Sequence, residues 1–155
     1  MPKVAILGAK GFLGSPIVDA FENSDWEVIT FSRNKSSTPS HQEFSANLFD
    51  EGSLKQALFL SRPNVVLSTA WDTEHGKFWT NGSNVSYRDS TLRFAELSFQ
   101  LDVETFIGLG SRCEYGTTQG FCNAQVSPLI GNDIYSKSKI ETGLALKEIG
   151  GRFGS

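Results

Sequence analysis

Two sets of residues in this chain have side-chain types and spacing suited to chemistry. Gly8, Gly11 and Gly14 recur at intervals of three near the start. Tyr135 and Lys139 stand four residues apart near the end, a spacing that places both on one face of a helix. Regularly spaced glycines are typical of a turn that binds phosphate, and a tyrosine beside a lysine is suited to proton transfer.

The residues around the glycines predict a strand, a turn and a helix. Residues 4–7 form a short apolar run typical of a buried strand, and apolar residues then recur at helical spacing from Phe12 to Phe21. In that context the first glycine permits a tight turn, the second lets the backbone approach a pyrophosphate, and the third allows close helix packing. The spacing is G-x-x-G-x-x-G rather than G-x-G-x-x-G, so the prediction of dinucleotide binding depends on this context. The alternative is that the glycines simply end a strand.

The end of the second strand, predicted over residues 26–31, bears on which dinucleotide would bind. Ser32 and Arg33 follow it, with Lys35 two residues on, and no carboxylate stands there. An acidic residue would hydrogen-bond the 2′-hydroxyl of NAD, whereas an arginine accommodates a 2′-phosphate. The sequence therefore predicts NADP in preference to NAD, unless the two cations are merely solvated on a loop.

The tyrosine and lysine suit acid–base chemistry for an electrostatic reason. A nearby ammonium favours the phenolate, which lowers the tyrosine pKa from its usual value of about 10, at about 1.4 kcal/mol for each pKa unit. We therefore expect Lys139 to lower the pKa of Tyr135 and to make it a general base for a hydroxyl proton. The alternative is a chance pair on a helix surface. The position of the pair, after the fifth predicted strand, favours the functional interpretation.

The elements that must position these residues alternate along the chain. Further strands are predicted to end near residues 44–46 and to span 65–70 and 106–109, and helices to begin near Ser53 and to span 84–101 and 134–149. This alternation predicts an α/β fold with a doubly wound parallel sheet and right-handed crossovers. The apolar residues assigned to the inner face of the long helix are Val85, Leu92, Ala95 and Phe99.

Composition limits the functional classes. The chain has 155 residues, a formal net charge of −3 and 39% hydrophobic residues, which suits one globular domain. It has no basic stripe of the kind that nucleic-acid-binding proteins carry, no apolar run near the ~20 residues of a membrane helix, and no signal-peptide pattern. Cys113 and Cys122 offer neither a disulfide framework nor zinc spacing, so no metal site is predicted. We expect a soluble, cytoplasmic domain.

Four segments occur in an order that resembles a known superfamily. They are the glycine turn, the strand segment 63–70, the segment 110–116 (Gly-Ser-Arg-Cys-Glu-Tyr-Gly) and the Tyr135–Lys139 pair. The chain resembles the extended branch of the short-chain dehydrogenases/reductases, the NAD-dependent epimerase/dehydratase family that acts on nucleotide sugars. The resemblance implies a Rossmann-type NAD(P)-binding domain over residues 1–155 and hydride transfer between a sugar carbon and nicotinamide.

The resemblance also implies residue roles. Ser111 would hydrogen-bond the substrate oxygen, Tyr135 would be the general acid/base, and Lys139 would bind the nicotinamide ribose while lowering the tyrosine pKa. The chain departs from the family's pattern at Asn47, where aspartate is usual. It departs again at Tyr87, where asparagine is common and Asn84 is the nearest substitute. The residues implied in cofactor binding are Gly8, Gly11, Phe12, Leu13, Gly14, Ser32, Arg33, Asn47, Leu48, Ala70, Tyr135 and Lys139.

The residues after Ser111 bear on the reaction. Sugar 4,6-dehydratases resemble one another in carrying an Asp-Glu pair at this point, whereas this chain has Arg112 and Cys113, which disfavours dehydration. The segment looks like that of the GDP-fucose synthase group, NADP-dependent enzymes that epimerise and then reduce a keto sugar. That likeness makes Cys113 a candidate acid/base. The alternative, which is favoured, is a small apolar filler.

The resemblance implies further parts. Family members continue into another strand and a C-terminal domain that binds the nucleotide sugar, and here that strand is expected to begin in the glycine-rich residues 150–155. We therefore expect a truncated cofactor domain of an NAD(P)-dependent epimerase or reductase, whose nucleotide-sugar substrate needs a substrate domain. The alternatives are a non-catalytic dinucleotide-binding module, an inactive fragment, or a flavodoxin-like domain. Helices 84–101 and 134–149 are expected to pair in a homodimer, or else only to pack on the sheet.

Overall fold

The fold is a parallel sheet covered by helices on both faces, as the sequence predicts. A computed structural model describes residues 1–34, 41–116 and 120–154, so Lys35 lies outside the described residues. The five-stranded sheet has the order β3-β2-β1-β4-β5, and all its pairs are parallel. In chain order the elements are β1 Lys3–Leu7, α1 Gly14–Glu22, β2 Glu27–Ser32, β3 Gln42–Ser45, α2 Glu51–Ser61, β4 Val65–Ser68, α3 Ser83–Gln100, β5 Thr105–Gly108, a 3₁₀ turn Arg112–Tyr115, and α4 Ile134–Phe153.

The strand order places the candidate residues at one edge of the sheet. The chain moves outward from β1 to β3 on one side and then returns to β4 and β5 on the other, so the order reverses between β1 and β4. In the register of the sheet, Leu7 lies beside both Phe31 and Ser68, and Ser68 lies beside Gly108. Because parallel strands end at the same edge, the loops that follow four strands converge there. This is where ligands bind in open α/β sheets.

The core has one apolar layer on each side of the sheet. Alternate residues of β1 contribute to opposite layers, so the central strand is buried on both faces, as its apolar run predicts. The layer under α1 contains Val4, Ile6, Val18, Val28 and Leu67. The layer under α2 and α3 contains Leu7, Ile29, Phe31, Leu54, Leu58, Phe94 and Leu97.

Two helix starts differ from the sequence expectation. The first helix begins at Gly14, and the side chain of Phe12 is 94% exposed, so Phe12 belongs to the turn rather than to an apolar helix face. The second helix is capped by Asp50, whose carboxylate accepts the backbone N–H of Ser53 at 3.2 Å. The prediction of Ser53 as the cap was wrong because an aspartate three residues earlier occupies that position.

The inner face predicted for α3 is wrong at three of its four positions. Only Ala95 is buried, and the other three apolar residues are half-buried. The helix packs against both the sheet and α4, so its buried surface is wider than one apolar stripe. Its buried residues include small polar ones that satisfy themselves locally, as the Ser98 hydroxyl does by donating to the Phe94 carbonyl at 2.7 Å. The buried residues of α3 are Asn84, Ser90, Thr91, Phe94, Ala95, Leu97 and Ser98.

The last helix is longer than predicted. Residues 150–153 form its final turn, and Gly154 ends it in the left-handed conformation at φ 76°. The Phe153 ring stacks on Phe99 of α3 with ring centres 5.2 Å apart. The expectation that a strand begins in this glycine-rich segment is therefore wrong for residues 150–153. Within the described part of the chain, no helix combines the length and apolar character needed to cross a membrane.

Candidate functional site

The glycine turn connects β1 to α1 through contacts that only glycine permits. Gly8 has φ 85°, and a Cβ there would lie 2.5 Å from the Thr69 hydroxyl oxygen. A Cβ on Gly14 would lie 2.1 Å from the Gly8 carbonyl oxygen, so the third glycine lets the helix pack against the turn, as predicted. The N–H of Gly11 donates to that same carbonyl at 2.9 Å. The turn thus places the start of α1, with its free N–H groups, at the edge of the sheet.

A cavity of about 380 Å³ opens beside this turn, near the lower end of the ~300–1,000 Å³ range of ligand pockets. It is lined by seven of the residues expected to bind a cofactor, namely Gly8, Gly11, Ser32, Arg33, Asn47, Leu48 and Ala70. Phe12, Leu13 and Gly14 are not in its lining. Phe49, Trp71 and Tyr87 complete the wall, and the sequence did not assign Phe49 to the site.

A carboxylate lies near the end of β2, and it comes from the neighbouring strand β3. Glu43 of β3 is buried, with its side chain 2% exposed, and one of its oxygens lies 2.9 Å from the Ser32 hydroxyl. The Lys10 ammonium from the glycine turn lies 2.8 Å from the same oxygen and donates to the Asn34 carbonyl at 2.5 Å. Glu43 is therefore already paired with a cation. Arg33 lines the cavity beside this cluster.

The Tyr135–Lys139 pair lies on the first two turns of α4. Asp133 caps this helix, because its carboxylate accepts the backbone N–H of Ser136 at 2.8 Å and the Ser136 hydroxyl at 2.6 Å. Both Tyr135 and Lys139 are buried, at 7% exposure each. The Lys139 ammonium donates to the Leu109 carbonyl at 2.9 Å, at the end of β5, and lies 6.0 Å from the centre of the Tyr135 ring.

The pKa values differ from the sequence expectation. Burial raises the pKa of Tyr135 above its usual value, and a hydrogen bond with Ser111 opposes this only in part. Burial also lowers the pKa of Lys139 to about 8, with the Glu114 carboxylate acting in the opposite direction. The predicted lowering of the Tyr135 pKa is therefore wrong for this conformation, because desolvation outweighs the hydrogen bond that acts to lower it.

Ser111 and Cys113 reach Tyr135 from the 3₁₀ turn after β5. The Ser111 side chain accepts the Cys113 N–H at 3.3 Å, and the Glu114 carboxylate accepts the Ser111 N–H at 2.5 Å. Ser111 and Glu114 form a capping box, because the Ser111 side chain also accepts the Glu114 N–H, and the Ser-x-x-Glu pattern is the sequence signature of this motif. Cys113 is half-buried and lies close to Tyr135, whose pKa it contributes to raising. The structure thus brings Ser111, Cys113, Tyr135 and Lys139 together.

Aromatic side chains surround the tyrosine. The ring centres of Phe78, Trp79 and Trp71 lie 4.8, 5.8 and 6.3 Å from that of Tyr135, all nearly perpendicular to it. Trp71 also stacks on Tyr87 at 5.7 Å. These side chains are of types that could either pack or stack on a ligand, and in this structure they pack on one another around the tyrosine.

Asn84 fixes one of these rings and does not line the cavity. It is 1% exposed, and its side-chain oxygen accepts the Trp71 indole N–H at 2.8 Å. Its amide group donates to the carbonyls of Phe78 and Asn81, both at 2.7 Å. Asn84 therefore holds Trp71 and the following segment in place. Further along the same helix, Thr91 is 3% exposed, and its hydroxyl has no partner within the described residues.

The fold and the site together define a class of protein. A parallel sheet, a glycine turn before the point where the strand order reverses, and a cavity at that point form a Rossmann-type dinucleotide-binding domain. The turn fits the diphosphate of such a ligand, because Gly8 and Gly11 present only backbone to the cavity and the cationic Lys10 lines it beside them. The family model of the NAD dependent epimerase/dehydratase family matches residues 4–155, and the chain belongs to this family.

Solved structures share the fold at low sequence identity. The UDP-Glc/GlcNAc 4-epimerase from the human pathogen Campylobacter jejuni has a TM-score of 0.83 and 19% identity over 98% of this chain and 50% of its own. The UDP-glucose 4-epimerase from Brucella ovis, in complex with NAD, has a TM-score of 0.83 and 16% identity over 99% of this chain and 49% of its own. The UDP-glucose 4-epimerase from Thermotoga maritima, with UDP-glucose, has a TM-score of 0.81 and 20% identity over 98% of this chain and 52% of its own. The chain thus spans about half the length of these structures. A comparison with curated proteins gives no significant match.

Proposed function

We propose that this chain is the cofactor-binding part of an NAD(P)-dependent nucleotide-sugar epimerase or reductase. The observation that carries the proposal is the convergence of Ser111, Tyr135 and Lys139 at the same edge of the sheet as the glycine turn. A module that only bound a dinucleotide would have no need of an acid–base group there. The solved neighbours named for UDP-sugar epimerases support the substrate class.

The chain's own residues divide the work. The glycine turn and the start of α1 hold the diphosphate, and Lys139 holds the nicotinamide ribose. When bound, the cofactor supplies hydride transfer. Tyr135 moves a proton at its phenolic oxygen, and Ser111, which hydrogen-bonds that phenol, orients the substrate oxygen. With a raised pKa, Tyr135 is protonated at neutral pH in this conformation and is ready to act as the acid.

Tyr135→Phe tests this function. The assay follows oxidation of NADPH and NADH by protein containing this chain, with 4-keto sugar nucleotides as substrates. General acid–base catalysis contributes about 10²–10⁴-fold, so the variant should lose turnover by that factor. Tyr115→Phe, a tyrosine change in the 3₁₀ turn, is the control and should retain turnover. Full activity of Tyr135→Phe would refute the mechanism, and tight cofactor binding without turnover of any sugar nucleotide by the unmodified protein would favour the non-catalytic module.

The proposed cofactor preference is for NADP over NAD. Arg33 lines the cavity at the end of β2, and the nearby Glu43 carboxylate is occupied by Lys10. Burial raises the pKa of Tyr87, and the Arg33 charge opposes that rise, which is consistent with a guanidinium close to the cavity wall. Arg33→Ala should weaken NADP binding about tenfold, the value of one charge-assisted hydrogen bond, and leave NAD binding unchanged. Tighter binding of NAD than of NADP by the wild-type chain would overturn this preference.

Two finer assignments complete the proposal. Cys113 is a second acid/base for epimerisation, supported by its position next to Tyr135, and the Arg112-Cys113 sequence disfavours dehydration.

A homodimer would form through α3 and α4. Within one chain these helices are joined to each other by ion pairs between Arg88 and Glu141 and between Arg152 and Glu96. Light scattering of the purified chain distinguishes a dimer from a monomer.

A further inference from the structure

The indole of Trp71 stands between the two parts of the site. The cavity at the glycine turn is bounded by Trp71, and neither Tyr135 nor Lys139 belongs to its lining. Behind the indole lies a separate cavity of only about 20 Å³, which Trp71 and Lys139 line together. The space that could hold a ligand and the ammonium that would hold its ribose are therefore divided by one side chain.

Three contacts hold the indole in this position. Its N–H donates to the Asn84 side chain at 2.8 Å, and its ring stacks on Tyr87. The Lys139 ammonium lies 3.8 Å from the ring centre, within the range of a cation–π interaction. Asn84 is itself buried and fully bonded, so this acceptor does not shift freely. In this conformation the indole thus forms part of the wall and separates Lys139 from the cavity.

The buried hydroxyl of Thr91 gives an independent indication of what the closed space is for. Thr91 lines the 20 Å³ cavity with Lys139, and its oxygen has no hydrogen-bond partner within the described part of the chain. A buried polar group without a partner is costly, so this hydroxyl calls for a partner that the described residues do not supply. A polar ligand group that entered beside Lys139 would supply the missing partner.

We propose that Trp71 is a gate between the adenosine half and the nicotinamide half of the cofactor site. This inference rests on the proposed function, since it concerns the same dinucleotide. With the indole in place, the cavity at the glycine turn accepts adenosine and diphosphate, whereas the nicotinamide ribose reaches Lys139 only after the indole leaves. The closed conformation therefore lowers affinity for the whole dinucleotide and leaves affinity for ADP unchanged.

Calorimetric titrations with ADP and with NAD⁺ and NADP⁺ test the gate directly. In Trp71→Ala the closed state is lost, so dinucleotide affinity should rise about tenfold or more, the factor expected when the competent state is populated to about 10% or less. The ADP affinity should not rise with it, so the ratio of dinucleotide affinity to ADP affinity should increase by that factor. Trp79→Ala is the matched control, because this indole also lies against Tyr135 but does not line the cavity, and both affinities should stay at wild-type values.

A second readout needs no truncated side chain at the gate. The chain has three tryptophans, so a Trp26→Phe, Trp79→Phe double variant reports on Trp71 alone. Its emission maximum should move to longer wavelength with a dinucleotide, as the indole enters water. With ADP, which fills the cavity without displacing the indole, there should be no comparable move to longer wavelength. This measurement remains informative if Trp71→Ala fails to fold.

The outcomes separate the gate from the cofactor site itself. Unchanged or weaker dinucleotide binding in Trp71→Ala, or an emission maximum that does not move when NADP⁺ saturates the double variant, overturns the gate and leaves the proposed cofactor site intact. Absence of binding by ADP and by both dinucleotides in the wild type and in Trp71→Ala overturns the proposed function and the gate with it.

Discussion

The two halves of the candidate site are built in different ways. The half at the glycine turn depends on close backbone packing, because Gly8 and Gly14 leave no room for a side chain. The half around Tyr135 is made by side chains from four separate segments, and aromatic rings fill the space between them. The first half is open in this conformation, and the second is closed. A backbone cradle is preformed, whereas a side-chain site takes the state that its own packing favours.

The largest expected effect comes from filling the backbone half. Gly14→Ala places a Cβ 2.1 Å from the Gly8 carbonyl oxygen, where only backbone movement can relieve the overlap. We expect a loss of about 2–4 kcal/mol in the free energy of unfolding by urea. Gly143→Ala is the matched control, since this helical glycine has open space around it and should gain about 0.5–1 kcal/mol. Equal effects at the two positions would contradict the close packing of α1 on the turn.

A smaller effect of opposite sign is expected in the side-chain half. Burial lowers the pKa of Lys139 to about 8, whereas an unfolded lysine titrates at about 10.4. The unfolded chain therefore binds the Lys139 proton more tightly than the folded chain does, so the charged lysine destabilises the fold below about pH 8. This loss of stability disappears as the pH rises through about 10, where the lysine is neutral in both states. Lys139→Met removes the buried charge and also the hydrogen bond to the Leu109 carbonyl. The net effect should be a free energy of unfolding higher by about 1–2 kcal/mol at pH 7.

The control for this comparison is Lys137→Met on the same helix. Lys137 is exposed, so its replacement should change stability little at either pH. Destabilisation by Lys139→Met at both pH 7 and pH 10 would contradict the expectation that the buried charge costs stability in this half of the site. That result would mean that the contacts of Lys139 with the Leu109 carbonyl and the Trp71 ring outweigh the cost of burying its charge.

The smallest effect concerns the helix that carries the pair. Although burial acts to raise the pKa of Asp133, the hydrogen bonds from Ser136 outweigh it and hold that pKa below its usual value. Asp133 therefore stabilises the fold above about pH 4, and this contribution is lost as the pH falls through its lowered pKa. Asp133→Ala should cost about 1 kcal/mol at pH 7. The difference from wild type should shrink in acid, whereas for Asp19→Ala on the exposed face of α1 it should be small throughout.

The sequence predicts features that depend on local order and misses those that depend on distant neighbours. The strand run at residues 4–7 and the glycine spacing act within one segment, so the sheet and the turn follow from them. The closed packing of Trp71 depends on Asn84, Tyr87 and Lys139 at once, and no spacing in the sequence reports that meeting. The same reason explains the raised pKa of Tyr135, because its first cause is burial, and the rings packed around the tyrosine include Trp71 and Phe78, which are distant in sequence.

The most direct test of the account is a titration of the isotopically labelled chain with ADP and then with NADP⁺, followed by amide NMR shifts. The account predicts that ADP moves the amides of Gly8, Gly11 and Asn47, and that NADP⁺ additionally moves those of Trp71 and Lys139. Shifts confined to residues away from the glycine turn, or no shifts with either ligand, would contradict the claim that this edge of the sheet is a dinucleotide site.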